Sequence, residues 1–159
     1  MNDNMTYRMA ASKDAAYVYQ ALRDTAGEQN LLDRFALTEA DVIDELFSEK
    51  ASSEALLVLS SDKPIGLILF SMTNRNFAFF NGPGIYIHDI YVEKDYRRKK
   101  IGSELIKRVK NIAQKRKCSR IDWVVLKSNE KALQFYQTMS EVKEVDYIHY
   151  MRMKVEDNV

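Results

Sequence analysis

The chain has 159 residues, of which 46% are apolar and 30% are charged, and its formal net charge is +1. This length suits one domain and this composition a folded globular protein, which excludes a modular protein, a disordered chain and a collagen-like repeat. The single cysteine, Cys118, excludes an intrachain disulfide and a cysteine-based zinc site. We expect one domain over 1–159 in the cytoplasm, because the polar start carries no secretory pattern and the apolar runs are far shorter than the roughly 20 residues that span a membrane.

Apolar side chains spaced by three and four residues predict four helices. They run from Ser12 to near Gly27, from the helix-start box at Thr38 to near Ser48, from Ile101 through a basic segment, and from Asn129 onward. Runs rich in β-branched and aromatic residues, separated by turn residues, predict strands at 7–10, 55–59, 65–71, 85–92, 120–126 and 147–154. The element order is therefore β-α-α-β-β-β-α-β-α-β, an α/β fold with a mixed sheet flanked by helices. The strand-helix-strand unit over 85–126 requires a parallel pair or crossover.

The segment 97–120 concentrates positive charge, with eleven lysines and arginines against one acid, Glu104. Such a block attracts nucleic acid, a membrane surface or the phosphates of a cofactor, and composition does not choose among them. Within it, a strand runs through a loop and a glycine, Gly102, into an amphipathic helix. Unpaired N–H groups at that helix start predict a phosphate site. The glycine patterns of P-loop and dinucleotide-binding proteins are absent from the segment.

Two motifs resemble the GNAT superfamily of acetyl-CoA-dependent N-acetyltransferases. The segment 97–102, Arg-Arg-Lys-Lys-Ile-Gly, is similar to the family's Arg/Gln-x-x-Gly-x-Gly/Ala, and 129–136, Asn-Glu-Lys-Ala-Leu-Gln-Phe-Tyr, is similar to its Asn-x-x-Ala-x-x-x-Tyr. The segments 36–41, 87–92, 95–97 and 101–104 look like the spermidine/spermine (diamine) and thialysine acetyltransferase branch. The resemblance runs from about Tyr7 to Met153.

The resemblance implies a splayed GNAT sheet, acetyl-CoA as cosubstrate, no metal, and direct acetyl transfer to a primary amine of a small diamine, polyamine or lysine-like acceptor. It also implies a homodimer, and no membrane or nucleic-acid partner. The implied cofactor-binding residues are Ile90, Tyr91, Val92, Arg97, Arg98, Lys99, Lys100, Ile101, Gly102, Ser103 and Asn129. Tyr136 would protonate the departing thiolate, although its spacing also fits a core aromatic. Asn129 equally fits a helix N-cap.

The sequence departs from the family at two informative positions. Lys100 replaces the first motif glycine, and its Cβ restricts φ while its ammonium adds charge near the pyrophosphate. His88 stands where the polyamine branch has an acid, and an unperturbed pKa near 6.5 suits a base that takes the amine proton. A structural histidine is an equal alternative. Asp89, Glu28 and Asp33 are the candidate substrate-binding residues.

Two alternatives to a small amine acceptor stay open. The first is an acetyltransferase acting on protein N-termini or lysines, which would need an open groove rather than a closed acidic pocket. The second is a non-catalytic module that binds coenzyme A or nucleic acid through the basic helix, with Lys100 as a sign of lost activity.

Overall fold

The computed structural model describes residues 4–74 and 79–155 of the chain, so most of the polar start lies outside the described residues. The chain divides into two compact units, Met1–Val124 and Val125–Val159.

The first unit holds a five-stranded sheet and three α-helices. In chain order its elements are β1 (Met5–Met9), α1 (Ala15–Glu28), α2 (Glu39–Phe47), β2 (Ser53–Ser60), β3 (Lys63–Thr73), β4 (Gly84–Val92), α3 (Ile101–Lys115) and β5 (Arg120–Asp122). The strands lie in the order β1-β2-β3-β4-β5, antiparallel except for the parallel pair of β4 and β5. The crossover through α3 therefore produces the predicted parallel pair, and the predicted α/β class with a mixed sheet is confirmed.

Helices cover both faces of this sheet. On one face, Val18 and Ala21 of α1 and Val42 of α2 pack with Leu57 and Leu67 in a buried cluster. The alternate strand residues, such as Ile68 and Phe70, point the opposite way and are fully buried where α3 contacts the sheet. The α3 helix buries its predicted apolar stripe of Ile101, Leu105 and Val109.

Local sequence signals account for the helix starts. The Thr38 hydroxyl caps α2 by accepting a hydrogen bond from the N–H of Asp41, whose carboxylate accepts in return from the N–H of Thr38. Before α1, the Asp14 carboxylate accepts from the N–H of Ala11 and pairs with Arg8, which holds its pKa below the usual range.

The structure differs from the sequence prediction at two strands. The strand predicted at 120–126 ends at Asp122, because β5 pairs with β4 only as far as Tyr86. The prediction of a closing strand at 147–154 is wrong, since no strand forms there in the described part of the chain. Its aromatic and branched residues are typical of a strand, but a strand also needs a partner, and side chains such as Tyr147 and Met153 are exposed instead.

The second unit contains α4 (Glu130–Gln137). Asn129 caps this helix through its side-chain oxygen, which accepts from the N–H of Ala132 at 3.2 Å. The rings of Phe135 and Tyr136 contact each other with centroids 5.1 Å apart. The predicted short helix after Asn129 is confirmed.

One glycine is required by the close approach of β3 to β4. A Cβ on Gly66 would lie 2.6 Å from the backbone oxygen of Tyr91, whereas one on Gly27 in α1 would meet only the Leu32 side chain at 3.6 Å. We expect Gly66→Ala to lower the free energy of unfolding by about 2 kcal/mol, because the neighbouring strand must shift. Gly27→Ala is the matched control and should raise it by about 0.5 kcal/mol through helix propensity. Urea unfolding measures both, and equal effects would contradict the close strand contact.

Candidate active site on strand β4

Strand β4 contains a β-bulge at His88. Phe70 of β3 pairs with Ile87, and the adjacent Leu69 pairs with Asp89, which leaves His88 as the extra residue. Both His88 and Asp89 line one cavity on the sheet face covered by α1 and α2, although strict alternation would place them on opposite faces. The bulge therefore brings two ionisable side chains together on one wall.

The cavity at the bulge has a volume of about 280 Å³. Apolar side chains of α1, α2 and β3 form most of its lining, and its polar groups are His88, Asp89, Glu45 and Ser53. A mostly apolar cavity with a few convergent ionisable groups is the usual form of a small-molecule site.

Burial perturbs both ionisable groups of the bulge. It raises the pKa of Asp89 to about 6, because the carboxylate loses hydration. Partial burial of the ring lowers the pKa of His88, and the negative charge of Glu45 opposes this shift. Neutral His88 is therefore favoured at pH 7, and Asp89 can hold a proton or a cation.

A second, acidic cavity of about 340 Å³ lies further along the same strand face. It is lined by Asp24, Glu28, Tyr91, Glu93, Lys94 and Asp95. The Tyr91 hydroxyl donates to Asp24 at 3.2 Å, and burial together with the Asp24 charge raises the pKa of Tyr91 to about 12. Of the predicted substrate residues, Asp89 and Glu28 thus line two different cavities. Asp33 lies on an exposed 3-10 turn and lines neither of these two cavities in the described chain.

Arg97, predicted to contact phosphate, joins the cofactor loop to α1. Its Nε donates to the backbone oxygen of Val92 at 2.7 Å, and its terminal nitrogen pairs with Glu28 at 2.6 Å. Its guanidinium carbon lies 6.0 Å from the centre of the Tyr91 ring. In this arrangement the guanidinium contacts the acidic cavity and the end of β4.

The loop before α3 holds an unusual backbone. Lys100 is the N-cap residue with φ 61° and ψ 17°, and Arg98 has φ 62°, so both are left-handed. Lys100 therefore takes a conformation that glycine adopts without cost, although its Cβ was expected to restrict φ. Arg98, Lys99 and Lys100 are exposed, and the Lys99 ammonium lies 5.2 Å from the centre of the Tyr96 ring.

The start of α3 leaves backbone donors open. The first bond of the helix runs from the N–H of Glu104 to the oxygen of Lys100, and Lys100 makes no capping bond through its side chain. The N–H groups of Ile101, Gly102 and Ser103 precede that bond and have no acceptor in the helix. By contrast, Thr38 and Asn129 cap α2 and α4. An anion suits these three open donors and the adjacent cationic side chains.

The edge of β4 that faces β5 is paired only at its start. The parallel ladder ends at Tyr86, and none of the strands that the structure describes pairs with this edge at Ile90, Tyr91 or Val92. Those three residues pair with β3 on the other edge, opposite Ile68, Leu67 and Gly66. The sheet is thus splayed where the resemblance places pantetheine.

The remaining predicted residues lie in the second unit. Tyr136 is half-buried on α4, and Asn129 is the cap of that helix. His149 belongs to the exposed segment after α4.

Sequence reasoning missed three residues of the first unit that contact the predicted site. Ser71 lies 2.8 Å from His88, Glu45 lines the same cavity, and Asp24 holds Tyr91. Of these three residues, only Glu45 could have been found from the sequence, because the apolar face of α2 fixes which residues of that helix turn toward the sheet. The Ser71 contact depends on the bulge, and the alternating pattern of β4 gives no sign of it.

The basic end of α3 contacts the sheet. The guanidinium of Arg116 makes a two-point ion pair with Glu54 of β2, at 2.5 and 2.8 Å. This pair ties the helix end to the sheet.

Comparison with known proteins identifies the fold and the chemistry. Residues 15–140 match the acetyltransferase (GNAT) family. The chain belongs to this family. It is an acetyl-CoA-dependent N-acetyltransferase, and its amine acetylation is in line with the relatives below.

Two curated relatives and one solved structure illustrate the match. Thialysine N-epsilon-acetyltransferase of Sus scrofa is 27% identical over 156 residues, which cover 94% of this chain and 92% of that protein. Spermidine/spermine N(1)-acetyltransferase-like protein 1 of Homo sapiens is 27% identical over 84% of this chain and 20% of its own length. A possible acetyltransferase from Clostridium difficile 630 superposes with a TM-score of 0.79 at 24% identity, covering 96% of this chain and 99% of that one.

No helix in the described residues is long and apolar enough to cross a membrane. Within residues 4–74 and 79–155, no three histidine, cysteine or carboxylate side chains group as metal ligands would.

The raised pKa of Asp89 predicts a pH-dependent stability. The folded state keeps this proton up to about pH 6, whereas the unfolded chain releases it near 3.8, so the folded state binds more protons between these values. The free energy of unfolding of the wild type, relative to Asp89→Asn, should therefore fall as pH rises from about 4 to about 6 and then level off, by about 3 kcal/mol at most. Urea unfolding across pH measures this. Asp33→Asn is the control for removing one carboxylate, and a pH-independent Asp89→Asn difference would contradict the buried carboxyl.

The left-handed backbone at Lys100 predicts opposite behaviour of two variants. Lys100→Gly should raise the free energy of unfolding by up to about 1 kcal/mol, because glycine adopts this φ without a Cβ clash. Lys100→Ala keeps the Cβ and should leave stability near the wild type, while both variants lose the same charge and bind coenzyme A equally less well. Urea unfolding and calorimetry measure the two effects. Equal stabilisation by both variants would mean that charge repulsion, not backbone conformation, is relieved.

Proposed function

We propose that this protein transfers acetyl from acetyl-CoA to a primary amine of a small diamine, polyamine or lysine-like acceptor. The observation that carries the proposal is the bulge of β4, which sets His88 and Asp89 together in a partly acidic cavity of about 280 Å³ beside a strand edge that no described strand pairs with. A cavity of this size fits a small cationic acceptor better than a protein segment. The names of the thialysine and spermidine/spermine relatives are in line with such an acceptor.

The cofactor side of the proposal uses the edge of β4 and the start of α3. The N–H of Glu93 donates to Ile65 of β3, so alternation along an antiparallel pair directs the N–H groups of Ile90 and Val92 to the open edge. There they can pair with pantetheine, and one of them can stabilise the oxyanion of the tetrahedral intermediate. Tyr91 packs behind that edge. Phosphates would take the open N–H groups of Ile101, Gly102 and Ser103 and the side chains of Arg98, Lys99 and Lys100.

Arg97 has a different place in this proposal. Its guanidinium is already engaged by Glu28 and by the Val92 oxygen, so it holds the loop against α1 and β4. We assign it to the cofactor site through the position of the loop rather than through a free charge.

The proton transfers are assigned to His88 and Tyr136. An amine attacks a thioester only when it is neutral, and His88, whose pKa burial lowers, is unprotonated at pH 7 and can take the proton of the incoming ammonium. Tyr136 donates the proton that the departing thiolate needs, and Asn129 bonds pantetheine from the start of α4; both roles rest on the second family motif.

The acceptor would be held by carboxylates on the α1/α2 face. Asp89 binds the cation near the bulge, and Glu28 supplies a second negative charge in the acidic cavity, with Asp33 as an outer charge on the turn that follows α1. Residues two apart on a strand are separated by about 7 Å. The cation position at Asp89 therefore lies about a diamine's length from the acidic cavity that Tyr91 lines.

We also propose that the chain forms a single domain over 1–159 and that it works as a homodimer in the cytoplasm.

Release of free coenzyme A across a panel of diamines, polyamines, amino acids and peptides tests the function. We expect the small amines with two cationic groups to give the highest kcat/KM. A peptide preference would contradict the small-amine acceptor, and no release with any amine would contradict the activity.

Variants of the two proton-transfer residues test their assignment. Tyr136→Phe should lower kcat about 100-fold, and His88→Gln should lower it at least tenfold and remove the acid limb of the kcat profile, because kcat rises with pH as the base loses its proton. Tyr147→Phe and His149→Gln are the matched controls on exposed positions and should change neither. Full activity in Tyr136→Phe would reject the acid, and an unchanged pH profile in His88→Gln would reject the base.

A further inference from the structure

His88 has a hydrogen-bond partner that the function proposed above does not use. The Oγ of Ser71 lies 2.8 Å from Nε2 of His88. Ser71 itself pairs with Tyr86 across β3 and β4, and the Tyr86 ring meets the His88 ring edge-on with centroids 5.0 Å apart. The imidazole is thus held on one side by a hydroxyl and on another by an aromatic ring.

The bulge explains why a serine two residues away along β3 reaches this ring. Leu69 is opposite Asp89, so His88 has no Cα partner on β3 and is not fixed by the ladder. Its ring lies back over Ser71. A bulge changes the direction of the side chain of the extra residue, and because the ladder does not fix that residue, another contact must fix the orientation of its side chain.

We infer that Ser71 is a positioning residue that fixes the orientation and the tautomer of His88. A neutral imidazole has one nitrogen that donates and one that accepts, and the partner of one nitrogen sets the role of the other. Because Ser71 engages Nε2, only Nδ1 is left for the substrate. Nδ1 has a free lone pair only when Nε2 carries the proton and donates it to the Ser71 oxygen. This inference rests on the proposed role of His88 as the base.

The groups around the ring fit this arrangement. Glu45 of α2 and Asp89 of β4 are the ionisable side chains that share the cavity with His88, Tyr86 contacts its ring, and α1 contributes an apolar side chain, Leu22. Once Nδ1 takes a proton, both nitrogens donate. Ser71 then accepts a charge-assisted hydrogen bond, which favours the protonated ring. Ser71 therefore raises the basicity of His88 against the effect of burial.

Kinetics of three serine variants test the inference. Ser71→Ala should lower kcat about tenfold with an unchanged KM for acetyl-CoA, and should move the acid limb of the kcat profile to lower pH by about half a unit, because the protonated ring loses its acceptor. Ser71→Thr keeps the hydroxyl and should restore both. Ser60→Ala is the matched control, since Ser60 is a serine of the neighbouring strand β2 that lines neither of the two cavities.

Nitrogen NMR of the histidine rings gives a second readout that does not depend on the folding of a serine variant. The chain has two histidines, so His149→Gln leaves His88 as the single signal. We expect the proton of neutral His88 on Nε2.

Each result bears on the inference. A proton on Nδ1, or equal kcat values and pH profiles in Ser71→Ala and Ser60→Ala, would overturn it. If His88→Gln lowers kcat while Ser71→Ala leaves both kcat and the pH profile unchanged, the inference fails and the base assignment stands. Full activity and an unchanged pH profile in His88→Gln would reject both the base assignment of His88 and the positioning role of Ser71. Acetyl transfer itself is tested separately by the amine panel.

Discussion

The proposed chemistry of this molecule depends on one extra residue in β4. The bulge at His88 turns two successive residues, His88 and Asp89, onto the face that α1 and α2 cover. It lies two residues beyond Tyr86, the last residue of β4 that pairs with β5. A regular strand would direct one of these two side chains to the face that α3 covers. The cavity that both ionisable side chains line is thus a result of this backbone irregularity.

The loop after β4 places two cationic side chains at positions where the backbone conformation is unfavourable for any residue but glycine. Arg98 and Lys100 take left-handed conformations that favour glycine, and both carry a cation next to the uncapped start of α3. The family motif has glycine at the second of these positions, so this chain carries an additional cation beside the start of α3 at a conformational cost of about 1 kcal/mol. Arg97 anchors the loop to Glu28 and to the Val92 oxygen. Because Glu28 also lines the acidic cavity, this ion pair joins the loop to that cavity.

The sequence predicted most of the fold because its signals are local. Thr38 and Asp41 mark the start of α2, the turn residues Ser61 and Asp62 separate β2 from β3, and the apolar residues of α3 repeat every three or four positions. The failures are non-local. Residues 147–154 have the composition of a strand but pair with none of the described strands, and β5 ends where its pairing with β4 ends.

The same distinction separates the predicted from the missed parts of the site. The positions of His88, Asp89 and the motif residues could be predicted from the sequence, and so could the open donors at α3. The contact of Ser71 with His88 could not, because it joins residues 17 apart through a register shift that no pattern in either strand announces. The ion pair between Arg97 and Glu28 joins residues 69 positions apart in the chain and depends on the packing of α1 over β4.

A crystal structure with a bisubstrate analogue, coenzyme A joined through an acetyl linker to a diamine, tests the account most directly. The account predicts that the pantetheine arm pairs with the open edge of β4 at Ile90 and Val92. It also predicts that the diamine nitrogen at the linker lies within reach of His88 and that the distal nitrogen lies against Asp89 or Glu28. A diamine tail that leaves the β4 edge away from both cavities, or a cofactor bound elsewhere than at β4 and the start of α3, would contradict it.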